Sequence, residues 1–77
     1  MMSRQKLHVV RSPQGTWQVK PEGAGRPVAE GRTQDEAVRM AQQIAQSNRP
    51  SQVVIHRENG QIREEHTYGN DPERYPG

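Results

Sequence analysis

The stretch that most constrains this chain is Thr33 to Asn48, TQDEAVRMAQQIAQSN, the only segment with strong helical signals, and it divides two strand-rich halves. Thr33 and Glu36 form a T-x-x-E capping box, in which each side chain satisfies an orphan first-turn amide. Asp35 and Glu36 place negative charge at the positive end of the helix dipole. Ala37, Met40, Ala41, Ile44 and Ala45 fall on one face at 3–4 spacing, with Val38 flanking them. Arg39, Gln42, Gln43 and Gln46 take the outer side. Asn48 is expected as a left-handed C-cap, and Pro50 blocks continuation.

The flanking segments read as strands. Lys6 to Arg11 is rich in β-branched residues, and Thr16 to Lys20 alternates cleanly. Between them Ser12-Pro13-Gln14-Gly15 supplies turn chemistry. An odd-length loop, Ser12 through Thr16, puts Leu7, Val9, Trp17 and Val19 on one side and His8, Val10, Gln18 and Lys20 on the other. Pro21 to Gly25 is a connector. Arg26 to Glu30 begins with a Pro-containing pair and suits an edge strand. After Pro50, Gln52 to Arg57 is the most apolar strand. Asn59-Gly60 signals a two-residue type I′ hairpin, which pairs Arg57 with Ile62, Ile55 with Glu64 and Val53 with His66. Val53, Ile55 and Ile62 then face the helix, with Arg57 and Glu64 near its rim. The return strand is Gln61 to Tyr68.

The order is therefore β-β-β-α-β-β, an α+β class: an antiparallel sheet with one helix packed on one face. Residues 1–5 are expected to be disordered, residues 6–69 to form the single domain, and residues 70–77 to be an irregular tail. The expected core is Leu7, Val9, Trp17, Val19, Val28, Val38, Ala41, Ile44, Val53, Ile55 and Ile62. One helix covers one face of five strands, so the other face is polar or meets a partner.

Composition sharpens that point. Only 29% of the 77 residues are hydrophobic, with no Phe, no Cys and a single Trp. A core of this size supplies about 3–5 kcal/mol, so self-association is an early expectation. The start, MMSRQKL, has no apolar h-region, and no run approaches the roughly 20 residues of a membrane span. A soluble cytoplasmic protein with no membrane partner is expected. The net charge of +2 is uneven: up to Thr33 there are six basic and two acidic residues, and beyond it five basic and seven acidic.

Catalytic and metal motifs are not apparent. His56 and His66 point to opposite faces of one hairpin, no H-x-x-x-H pair exists, and no metal site is expected. Glu64 and Glu65 are adjacent in a strand and so are not a carboxylate pair. Gly23-Ala24-Gly25 lacks the rest of a dinucleotide fingerprint. The chain reads as a non-enzyme with no cofactor and no evident small-molecule substrate. Trp17 reads as a core anchor rather than a base-stacking platform, because no aromatic residues are interleaved with it.

Two binding readings remain. In the first, nucleic acid meets the exposed sheet face through Lys6, His8, Gln18 and Lys20, with Arg11, Arg26 and Arg32 reaching phosphates from loops and edge. In the second, the exposed sheet meets a protein. There the strand with Arg63, Glu64, Glu65 and His66, polar on both faces, pairs with its symmetry mate in a homodimer through Arg63, Glu65 and Thr67. Asn70 or Asp71 would then close the strand end in an Asx-type turn.

GTWQVKPEG followed by RPVAEGRTQDEAVRMAQQIA resembles, at pattern level, the N-terminal arm-type DNA-binding domains of phage and transposon integrases. The resemblance implies a three-stranded sheet docking in a major groove. A second resemblance spans nearly the whole chain. HVV, G-x-W-x-V-K, the T-x-x-E-A helix start, VVIH and NGQIREEHTYGNDP are similar to a bacterial family of unknown function, numbered 2188. That resemblance implies a small stand-alone protein and carries no mechanism.

Overall fold

A computed structural model describes residues 5–69. The expectations for the N-terminus and the tail fall on residues 1–4 and 70–77, outside the described residues, as does the Asx turn at Asn70 or Asp71; Gln5 belongs to the first strand. The elements are β1 (Gln5–Arg11), β2 (Trp17–Pro21), β3 (Ala29–Gly31), α1 (Gln34–Ser47), β4 (Ser51–His56) and β5 (Ile62–Tyr68). Chain order and class match the β-β-β-α-β-β expectation.

The sheet is mixed, not antiparallel throughout, and its spatial order is β3-β2-β1-β4-β5. Helix α1 is the reason. It carries the chain back across one face, so β4 enters beside β1 and runs parallel to it, with Leu7 beside Val53 and Val9 beside Ile55. The β1–β2 hairpin has the odd loop: Val9 pairs with Val19, His8 with Lys20 and Arg11 with Trp17. Leu7, Val9, Trp17 and Val19 therefore share the helix side.

Helix α1 is capped as its sequence demands. The Thr33 hydroxyl accepts from the Glu36 amide at 3.2 Å. Glu36 reaches back one residue further than the standard box, accepting from the Arg32 amide at 2.9 Å. At the other end Asn48 is not left-handed, with φ −126° and ψ 51°. It closes the helix instead with its amide on the Ala45 carbonyl and its side-chain Nδ2 on the Ile44 carbonyl, 2.8 Å away.

The core lies between α1 and the sheet. Leu7, Val9, Val19, Val53 and Ile55 are fully enclosed beneath Ala37, Ala41 and Ala45, with Trp17 at one end. Each buried aliphatic side chain contributes about 1.5–3 kcal/mol. Two expected core residues are outside it. Val28 precedes β3 and is 56% exposed; Ala29 takes the inward place. Ile62 is 55% exposed because the hairpin register slips. Val54, on the other side of the sheet, is buried without having been expected there: it lies between His8 of β1 and Glu65 of β5.

The slip has a local cause. A type I′ turn needs positive φ at both central residues, and here only Gly60 has it. The loop is three residues, Glu58 to Gly60, closed by the Gly60 amide on the Arg57 carbonyl at 2.9 Å and the Arg57 amide on the Gln61 carbonyl at 2.6 Å. His56 therefore pairs with Ile62, not Arg57 with Ile62. A bulge at Arg63 then absorbs one residue and restores the expected pairs, Ile55 with Glu64 and Val53 with His66.

Candidate functional site

The open face of the sheet, away from α1, brings together four of the residues expected there. Lys6 and His8 project from β1 and Gln18 and Lys20 from β2, since the register sets His8 against Lys20 and Val10 against Gln18. A hydrogen-bonded chain crosses this face. The Glu22 amide donates to the Lys6 carbonyl, which brings the Glu22 carboxylate to within 3.8 Å of Lys6 Nζ and 2.8 Å of His8 Nε2. His8 Nδ1 lies 2.9 Å from His56 Nε2, and His56 Nδ1 lies 3.0 Å from the Gly60 carbonyl. The hydrogen bond with His8 holds the Glu22 carboxyl below the usual carboxylate range; slight desolvation opposes this, and the Lys6 charge adds to it.

This face is mixed in charge. Glu30 opposes Gln18, and Glu65 accepts from Gln52 at 2.7 Å, so with Glu22 three carboxylates share the face with Lys6 and Lys20. Arg11 lies on the helix side, one repeat beyond Val9. It sits 5.7 Å over the Trp17 ring and donates to Glu58 at 2.6 Å. Arg26 is exposed in the connector before β3, and Arg32 is exposed at the start of α1. The seven candidate nucleic-acid residues therefore divide among the open face, its connector and the end of the sheet near the β4–β5 turn.

The residues of the dimer reading lie on β5, which forms one edge of the sheet. Glu65 and Thr67 project on the open side, opposite Val54 and Gln52. Arg63 does not join them: as the bulge residue it turns toward the helix and donates to Gln34 Oε1 at 2.7 Å. Glu64 and His66 point to the helix side, 3.9 Å apart at their nearest charged atoms. Glu64 also lies 3.9 Å from Arg63 Nε.

A third feature was not expected from the sequence. Where the β4–β5 turn meets the start of α1, Trp17, Gln34, Arg57, Glu58, Asn59 and Arg63 line an open pocket of about 500 Å³. Its only sequence signal is two arginines flanking an Asn-Gly turn, and the bulge that aims Arg63 inward carries no such signal. Among the described residues no group of three or more His, Cys, Asp or Glu could hold a metal ion, and no helix is long and apolar enough to cross a membrane.

The family model described as an uncharacterized protein conserved in bacteria, DUF2188, matches residues 7–68, from the first buried residue of β1 to the end of β5. The chain belongs to the DUF2188 family. No curated protein and no solved structure matches it. The DUF2188 match thus takes in the helix and all five strands but for the first two residues of β1, and the likeness to arm-type integrase domains has no counterpart among these findings.

Proposed function

We propose that this chain is a non-enzymatic protein-binding module that works by strand addition at β5, with a second copy of itself as partner. One observation carries the reading: β5 is a seven-residue edge strand, polar on both faces from Arg63 to Thr67, whereas the opposite edge, β3, has three residues. A long edge offers a row of backbone donors and acceptors to an incoming strand. A two-fold axis normal to the sheet pairs residues of like facing, and the regular part of β5 beyond the bulge, Glu64 to Tyr68, matches itself about His66. Glu65 then meets Thr67 of the second copy, a carboxylate against a hydroxyl, twice by symmetry. Glu64 meets Tyr68, an acceptor against a phenol. No carboxylate opposes a carboxylate in that register, and His66 meets its own copy on the axis.

Nucleic-acid binding through the open face is the second reading, and less supports it. Glu22 engages Lys6 and His8, and Glu58 engages Arg11, which leaves Lys20, Arg26 and Arg32 to meet phosphates. Binding to random duplex DNA at two salt concentrations tests it, because phosphate contacts give a steep loss of affinity with salt.

Light scattering across concentrations tests the first reading. Thr67→Glu sets carboxylate against carboxylate at two symmetric positions and is expected to weaken the dimer by about tenfold. The exchange Glu65→Thr with Thr67→Glu restores the pairing and is expected to restore the dimer. A wild-type chain that stays monomeric at high concentration overturns the proposal.

A further inference from the structure

The pocket at the β4–β5 turn belongs to neither of these readings. We propose that it is a binding site for a small organic oxyanion, a phosphomonoester or a carboxylate, clasped by Arg57 and Arg63. The site is built within one chain and stands independently of strand addition at β5.

Hydrogen-bonding capacity is the first reason. The Arg57 side chain makes no hydrogen bond or ion pair among the described residues. Arg63 uses Nη1 on Gln34, whose Nε2 in turn donates to the His56 carbonyl at 2.9 Å. Gln34 is therefore fixed from both ends and positions the guanidinium, leaving Nη2 for a ligand, while Nε lies 3.9 Å from the Glu64 carboxylate. The Trp17 indole N–H also makes no hydrogen bond among the described residues. Asn59 Nδ2 has only a long contact, 3.5 Å to Gln61.

Charge is the second. Among the described residues Glu58 is the only carboxylate lining the pocket, and it is engaged by Arg11 at 2.6 Å. Glu64, outside the lining, stands 3.9 Å from Arg63 Nε, so the two lining guanidiniums are not cancelled by a close carboxylate. Guanidinium forks suit planar carboxylates and phosphates, which they bind in bidentate fashion.

Backbone shape is the third. Arg63 reaches the pocket only because it is the extra residue of a bulge, a device that re-aims a side chain out of the strand's alternation. A volume of about 500 Å³ falls within the roughly 300–1,000 Å³ of small-ligand sites and exceeds what a bare inorganic ion fills. The ligand is therefore an anion with an organic body.

Trp17 is the sole tryptophan and lines the pocket, so its fluorescence reports a ligand bound there. Glycerol phosphate and succinate are each titrated into the protein at constant ionic strength set with chloride. A saturable emission change with at least one of them is expected, and which one responds assigns phosphomonoester or carboxylate. Arg57→Gln and Arg63→Gln are each expected to weaken binding by about tenfold or more. Both side chains are exposed, and far-UV circular dichroism checks that the variants fold. Lys20→Gln on the open face and Thr67→Glu on the β5 edge are expected to titrate as wild type. No saturable change with either anion, or arginine variants that titrate as wild type, overturns the proposal.

Discussion

His8 Nδ1 lies 2.9 Å from His56 Nε2, and this contact joins β1 to β4 across the open face of the sheet. The Gly60 carbonyl at one end of this chain of bonds can only accept, as can the Glu22 carboxylate at the other, so all three links form together only when the two rings carry three protons between them. Glu22, at the far nitrogen of His8, ends the chain as the acceptor. Because that hydrogen bond and Lys6 hold the Glu22 carboxyl below its ordinary range, its contribution to stability is complete above the unfolded carboxylate value. It disappears as pH falls through the lowered folded value. Denaturant midpoints measured from neutral pH into acid are therefore expected to fall further for wild type than for Glu22→Gln. Parallel curves would show that the network does not act on folding.

Ile55 and Ile62 are both expected in the core from alternation, and they should separate sharply on truncation. Ile55 is 1% exposed and Ile62 is 55% exposed. Ile55→Ala leaves a cavity and is expected to cost about 2–5 kcal/mol, which rivals the whole stability of so small a core. Ile62→Ala is expected to stay within about 0.5 kcal/mol. Urea unfolding of the two variants checks the contrast.

That pair also shows how far the chain could be read in advance. Helix α1, its Thr33 cap and the inward set Leu7, Val9, Trp17 and Val19 follow from local rules, namely 3.6 and 2.0 periodicity and the parity of a five-residue loop. The parallel pairing of β1 with β4 does not, because it depends on where the helix sets the chain down. At the β4–β5 hairpin two departures compensate. The turn gains a residue, the bulge at Arg63 takes up another, and Ile55 still meets Glu64. Only Ile62 and Arg63, caught between the turn and the pair, change sides. The pocket depends on that exchange, so periodicity alone could not reveal it. Alternation puts Lys6, His8, Gln18 and Lys20 on one face, as the register has them, but gives no sign of Glu22 among them, since its approach depends on a backbone bond from the connector to Lys6.

Thr33→Ala tests the helix start. It removes the acceptor for the Glu36 amide while leaving the Arg32 amide bonded to Glu36. Half of the capping arrangement survives, so a loss of about 1 kcal/mol is expected, as for a typical N-cap. Thermal unfolding followed by circular dichroism measures it. A loss above that of Ile55→Ala would mean that Thr33 does more than cap.

Gly31 sits where the end of β3 passes under the first turn of α1. A Cβ built there would stand 2.9 Å from the Ala37 amide nitrogen and 2.9 Å from Glu36 Cβ, closer than real side chains approach. The first of these atoms is backbone within a capped helix, so it cannot move aside without disturbing the bonds of Thr33 and Glu36. Gly31→Ala is therefore expected to destabilise by about 1–3 kcal/mol, the range for overpacking a well-filled site. Gly25→Ala is the control, since a Cβ there meets nothing within 4 Å. Chemical denaturation of both variants decides the matter: equal midpoints would mean that α1 is free to lift from β3, and a selective loss at Gly31 would show that the helix is held against that edge.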